Sequence, residues 1–70
     1  MSTFKVVTDS EYTGGLSWLI TNFDAVVEPT GEYEEVDSQY NEIYTVEFPT
    51  VDGADLLDNC DAVVSYEKLA

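Results

Sequence analysis

The chain has no histidine, no arginine, one cysteine and two lysines among its 70 residues. Each shortage removes a class of function. Without histidine, neither a Ser–His nor a Cys–His nucleophile pair can be assembled. One cysteine leaves no intramolecular disulfide, which fits a reducing cytoplasm. One cysteine and no histidine also exclude a tetrahedral or soft metal site. Lys5 and Lys68 cannot supply the clustered cations that phosphate needs. Nucleic acid and anionic membrane are therefore poor direct partners. No apolar run approaches the roughly 20 residues of a transmembrane helix. The opening MSTFKVV lacks the basic start and long apolar stretch of a signal peptide.

What is present is acid. Fifteen Asp and Glu give a net charge of −13. Such a field favours basic partners and fast, salt-sensitive association, and it opposes folding through self-repulsion. The hydrophobic content of 44% is near the globular average and argues against disorder. Residues 1–70 make one domain, and a chain this short buries only about 60% of its unfolded surface.

Asn22-Phe23-Asp24-Ala25-Val26-Val27 recurs, with one change, as Asn59-Cys60-Asp61-Ala62-Val63-Val64. Before the first copy, Leu16, Leu19, Ile20 and Phe23 follow the spacing of one helix face. The equivalent positions before the second copy are Gly53, Leu56, Leu57 and Cys60. Thr13 is the expected N-cap of the first helix, and Thr50 or Asp52 of the second. Each helix runs into a β-branched strand, and residues 3–8 and 42–48 supply a strand before each. Pro49 ends the latter. Pro29 and Gly31 predict a bulge or a turn, residues 32–37 continue the second strand beyond it, and Asp37-Ser38-Gln39 suits a hairpin turn.

The order is β-α-β-β-α-β, a pseudo-repeat of units at about 3–37 and 42–68. It predicts an α+β domain on the ferredoxin-like plan: a four-stranded antiparallel sheet, strands 1 and 3 central, both helices on one face. The expected core is Phe4, Val6, Leu16, Leu19, Ile20, Phe23, Ala25, Val27, Tyr44, Val46, Phe48, Leu56, Leu57, Cys60, Ala62, Val64 and Tyr66. Trp18 falls about 200° from Ile20 and is expected to be at least partly exposed.

Catalysis is not expected. Cys60 reads as a small buried apolar residue. Among fifteen acids some pair always looks suited to acid–base work, so none is singled out. The segment 50–55 lacks the full acid pattern and closing Glu of a calcium loop. No cofactor or metal is expected.

Glu28, Glu32, Glu34, Glu35 and Asp37 crowd one segment, with Glu42 beyond; Asp52, Asp55 and Asp58 follow three-residue steps on the second helix. An acidic edge strand discourages aggregation. Lysine would serve that purpose equally, so the scarcity of cations is left unexplained. Same-face strand residues lie about 6.6 Å apart, and helix neighbours three apart about 5–6 Å. Phosphates on a DNA strand rise about 3.4 Å per step axially and lie further apart along the backbone. Such carboxylate rows imitate phosphates. Tyr33, Tyr40 and Trp18 are candidate interface anchors. These residues are the expected partner-binding set.

In size, in the segment EPTGEYEEVDSQYNE, in its near absence of Lys and Arg, and in its opening TFKVVTDSEYTGG, the chain resembles small acidic phage proteins directed against host defence, including anti-CRISPR proteins and other DNA mimics. The resemblance implies a stoichiometric inhibitor that occupies a nucleic-acid-binding or other basic protein surface, such as that of a Cas surveillance complex. The expected setting is the host cytoplasm, and the chain is expected to be a monomer or homodimer. The alternatives are a halophilic acidic protein, which needs no partner, and an assembly module that pairs through Trp18 or an edge strand.

Overall fold

A computed structural model of the chain describes residues 2–9 and 16–70. The elements run β1 (Ser2–Thr8), α1 (Ser17–Phe23), β2 (Val26–Val36), β3 (Gln39–Phe48), α2 (Ala54–Asp58) and β4 (Val63–Lys68). The strands form one sheet in the order β2-β3-β1-β4, every neighbouring pair antiparallel. The molecule is thus a small α+β domain with a four-stranded antiparallel sheet and two helices. The expected N-cap Thr13 lies outside the described residues.

Alternation along the central strands builds the core. Phe4 and Val6 of β1 and Val46 and Phe48 of β3 point to one face, where Leu19 of α1 and Leu57 of α2 meet them. All six are fully buried. Phe4 packs edge-on against Phe48 and Tyr66, with ring centroids 5.9 and 5.6 Å apart. Burying such a side chain contributes about 1.5–3 kcal/mol. Ala25 and Ala62, the shared letters of the two copies, are both buried. The copies also share a hydrogen bond: the Asn22 amide donates to the Trp18 carbonyl at 2.9 Å, and the Asn59 amide to the Asp55 carbonyl at 2.8 Å. Among the described residues, no buried side-chain polar atom lacks a hydrogen bond.

Three expectations fail. Ile20 is exposed, because the seven-residue α1 buries only Leu19 deeply, with its N-cap Leu16 also buried and Phe23 half-buried. Val64 is also exposed. The β1–β4 register shifts between Val7 and Thr8, which pair with Ser65 and Val63 and skip Val64. That bulge flips the alternation, so Val63 packs on the core instead. Neither Thr50 nor Asp52 occupies the N-cap of α2. Gly53 does, at φ 86°, and it makes no side-chain cap bond.

β3 begins three residues earlier than predicted and β2 runs on to meet it. Together they extend past the end of β1, whose last partner on β3 is Ile43. The result is a two-stranded arm that gives the molecule its long dimension, 36 Å against 21 and 18 Å.

Candidate functional site: an acidic hairpin arm

The arm is built around two irregularities. The β2–β3 register shifts between Pro29 and Tyr33, as the Pro-Gly signal predicts. Pro29 has no N–H to give the ladder, and Gly31 sits at φ 83°. The Thr30 side chain fills the gap. Its hydroxyl donates to the Ile43 carbonyl at 2.7 Å and accepts from the Glu32 N–H at 3.1 Å. At the tip, Val36 pairs with Gln39 around Asp37 and Ser38. Both have positive φ, 50° and 69°, as a type I′ two-residue turn demands. The turn keeps the strands' twist and fixes the register of the arm.

That register decides which side chains share a face. Tyr33 stands opposite Glu42, Glu34 opposite Asn41, and Glu35 opposite Tyr40. Tyr33, Glu35, Tyr40 and Glu42 therefore share one face, on the side of β3 that carries Tyr44 and, further along, Val46 and Phe48. Glu34 points to the other side. The Tyr33 and Tyr40 rings meet edge-on, 5.0 Å between centroids and 84° between planes. Both remain open to water, 61% and 58% exposed. The Tyr44 hydroxyl donates to the Glu42 carboxylate. This hydrogen bond, with partial burial and the negative charge of Glu42, raises the Tyr44 pKa above 10.

Every expected partner-binding residue is exposed: Trp18, Glu28, Glu32, Tyr33, Glu34, Glu35, Asp37, Tyr40, Glu42, Asp52, Asp55 and Asp58. They do not form one surface. Residues 32–42 share the arm. Glu28 lies before the bulge, in a row with Thr45 and Lys5 on the sheet face away from the core. Trp18 is on α1, packed edge-on against Phe23. Asp52, Asp55 and Asp58 lie at the opposite edge of the sheet, beside β4. There the Tyr66 hydroxyl donates to Asp58 at 2.6 Å, and Asp52 accepts from the Ser2 hydroxyl at 3.1 Å and meets the Lys68 ammonium at 3.4 Å. A strand row and a helix row do not combine into a single track.

Among the described residues, no ion pair joins an arm carboxylate to a cation, and no group of three or more acidic or cysteine side chains is placed to hold a metal. No described helix is long and apolar enough to cross a membrane. An open depression of about 340 Å³ lies between α2 and β4, lined by Leu57, Asp58 and residues 63–66. Sequence reasoning missed the roles of Tyr44, assigned only to the core, and of Thr30. Thr30 acts through a cross-strand contact that the bulge sets, whereas Tyr44 and Glu42 are same-face neighbours two apart on β3, a spacing present in the sequence. No protein-family model matches the chain, and no curated protein or solved structure matches it.

Proposed function

We propose that this chain is a non-enzymatic inhibitor that binds, one to one, a basic nucleic-acid-binding surface of another protein. The observation that carries the reading is the arm. Glu32, Glu34, Glu35 and Asp37 stand exposed on a projecting hairpin, and no cation among the described residues pairs with them. Carboxylates left unpaired on a protruding element repel one another. A positively charged groove that normally holds phosphates relieves that repulsion and releases counterions from both surfaces. The element order and the strand order β2-β3-β1-β4 support reading the scaffold as ferredoxin-like. The acidic arm, small size and scarcity of cations support a phage anti-CRISPR acting on a Cas surveillance complex in the host cytoplasm.

The test is displacement. The protein is titrated into a purified Cas surveillance complex loaded with fluorescent target DNA at low salt. Release with one-to-one stoichiometry is expected, weakening steeply as salt rises. Full retention of the DNA at saturating protein refutes the reading. A second reading, an assembly module, is favoured by Trp18 and Ile20, both exposed on α1. Sedimentation of the chain alone tests it, and a monomer at all concentrations removes it.

A further inference from the structure

The face shared by Tyr33, Glu35, Tyr40 and Glu42 is a square with alternating corners. The register sets each tyrosine directly across from a carboxylate. The two rings take one diagonal and touch. The two carboxylates take the other diagonal, which keeps like charges apart. Nothing in the described chain covers this sheet face, since both rings are more than half exposed.

Ring faces carry the negative end of an aromatic quadrupole, and the carboxylates carry full negative charge. All four corners attract a cation. One corner is also fixed in place, because the Tyr44 hydroxyl binds one oxygen of Glu42 and leaves the other for an incoming donor. A guanidinium is planar. It stacks on a ring face while its N–H fork reaches a neighbouring carboxylate. An ammonium is a compact, strongly hydrated point charge with neither a planar face to stack nor a fork to span ring and carboxylate, so it gains less here.

We infer that this square is a seat for an arginine side chain of a basic protein partner. The inference rests on the reading that the arm binds a basic surface. It narrows that reading from charge in general to arginine.

The experiment uses the full chain with nona-arginine and nona-lysine peptides at low salt, by titration calorimetry. Cation–π contact on the rings predicts roughly tenfold tighter binding of the arginine peptide. The double variant Tyr33→Thr/Tyr40→Thr keeps strand propensity and is expected to bind both peptides equally. Tyr33→Phe/Tyr40→Phe keeps the preference. Should the threonine variant not fold, NMR of the unmodified chain gives the answer. The ring protons of Tyr33 and Tyr40 shift on adding the arginine peptide, and those of Tyr66 at the other sheet edge do not. Equal affinity for the two peptides, a preference that survives the threonine pair, or equal ring shifts overturns the arginine seat and leaves the basic-surface reading standing. If neither peptide binds the unmodified chain, both fall.

Discussion

At the α2 end of the molecule the acids answer to their own chain. Asp52 meets Ser2 and Lys68, and Asp58 takes the Tyr66 hydroxyl. On the hairpin arm Glu32, Glu34, Glu35 and Asp37 meet no cation among the described residues. The same composition thus does two jobs. Around α2 the carboxylates tie a five-residue helix to an edge strand. On the arm they are available to something else. Net charge alone does not distinguish the two regions, because geometry decides which carboxylates are already engaged.

Matched charge reversal breaks this comparison most directly. Glu32→Lys/Glu34→Lys/Glu35→Lys on the arm and Asp52→Lys/Asp55→Lys/Asp58→Lys at α2 each raise the net charge by six, from −13 to −7. If total charge governs binding, both variants lose DNA displacement equally. If the arm is the contact, its variant loses roughly a hundredfold in affinity, as two or more interfacial charge pairs are removed. The α2 variant then stays within a few-fold of the unmodified chain. Displacement curves for the three proteins at low salt decide between these outcomes, and the gap between variants closes in high salt.

The two regions also hold two glycines with nearly the same backbone conformation, Gly31 at φ 83° and Gly53 at φ 86°. Their surroundings differ. A Cβ at Gly31 meets nothing within 4 Å, whereas one at Gly53 overlaps the ring of Phe48. Gly31→Ala is expected to cost about 1 kcal/mol, from the left-handed backbone alone. Gly53→Ala adds overpacking against a fully buried aromatic, for a total of about 2–4 kcal/mol. Urea unfolding of the two variants measures the difference. Equal losses mean that Phe48 yields without penalty.

Gly53 also shows where the sequence stops being legible. The helix-to-strand joints were readable because Asn and Ala recur at fixed spacing and occupy equivalent places. An irregularity at Pro29 and Gly31 was readable from local chemistry, and so was a hairpin turn at Asp37-Ser38-Gln39, although Gln39 already pairs with Val36 and the turn is Asp37 and Ser38 alone. The failures share another cause. Ile20 lies on a helical stripe, but how much of the stripe is covered depends on helix length and on neighbours distant in the chain. Val64 alternates correctly until a bulge in its pairing with β1 shifts the phase, and that bulge has no signature within β4. The N-cap of α2 went to Gly53 because the chain must pass close over Phe48, a contact invisible from residues 50–55. For the candidate site, the acids and tyrosines were evident as a list. Their arrangement as a square needed the register of the arm, which is set by the turn having two residues, Asp37 and Ser38, with Gln39 already paired to Val36.

A smaller effect separates the regions by pH. Each holds a tyrosine bound to a carboxylate, Tyr44 to Glu42 and Tyr66 to Asp58. Both phenols have pKa values raised above 10, chiefly by that hydrogen bond and then by burial. A group whose pKa is higher folded than unfolded stabilises the fold below its unfolded value. That contribution disappears as pH rises through the folded value. Stability is therefore expected to decline above pH 10, in part through these two groups. Tyr66 faces the additional negative charges of Asp55 and Asp52. Tyr66→Phe is expected to flatten the alkaline decline around α2, and Tyr44→Phe the decline near the arm. Urea midpoints between pH 8 and 11.5 record the slopes. Slopes unchanged in both variants show that neither hydrogen bond is coupled to folding.

The smallest effect lies at the acid end. The Asp52 carboxyl is held below its usual pKa, first by the Ser2 hydroxyl, then by the hydrogen bond and charge of Lys68. Here the sign reverses. A lowered folded pKa stabilises above the unfolded value, near 4, and that contribution is lost as pH falls through the folded one. Both side chains of the ion pair are well over half exposed, so solvent screens most of the attraction. Asp52→Asn should shift the urea midpoint only slightly at pH 7 and progressively less as pH falls below about 4, and molar salt should remove most of the part that comes from Lys68. Lys68→Ala tests the ion pair alone and should move the midpoint less, because the Ser2 hydroxyl remains on Asp52. If Lys68→Ala has the larger effect, the order of the two partners is reversed. The α2 end would then depend on charge, much as the arm is proposed to.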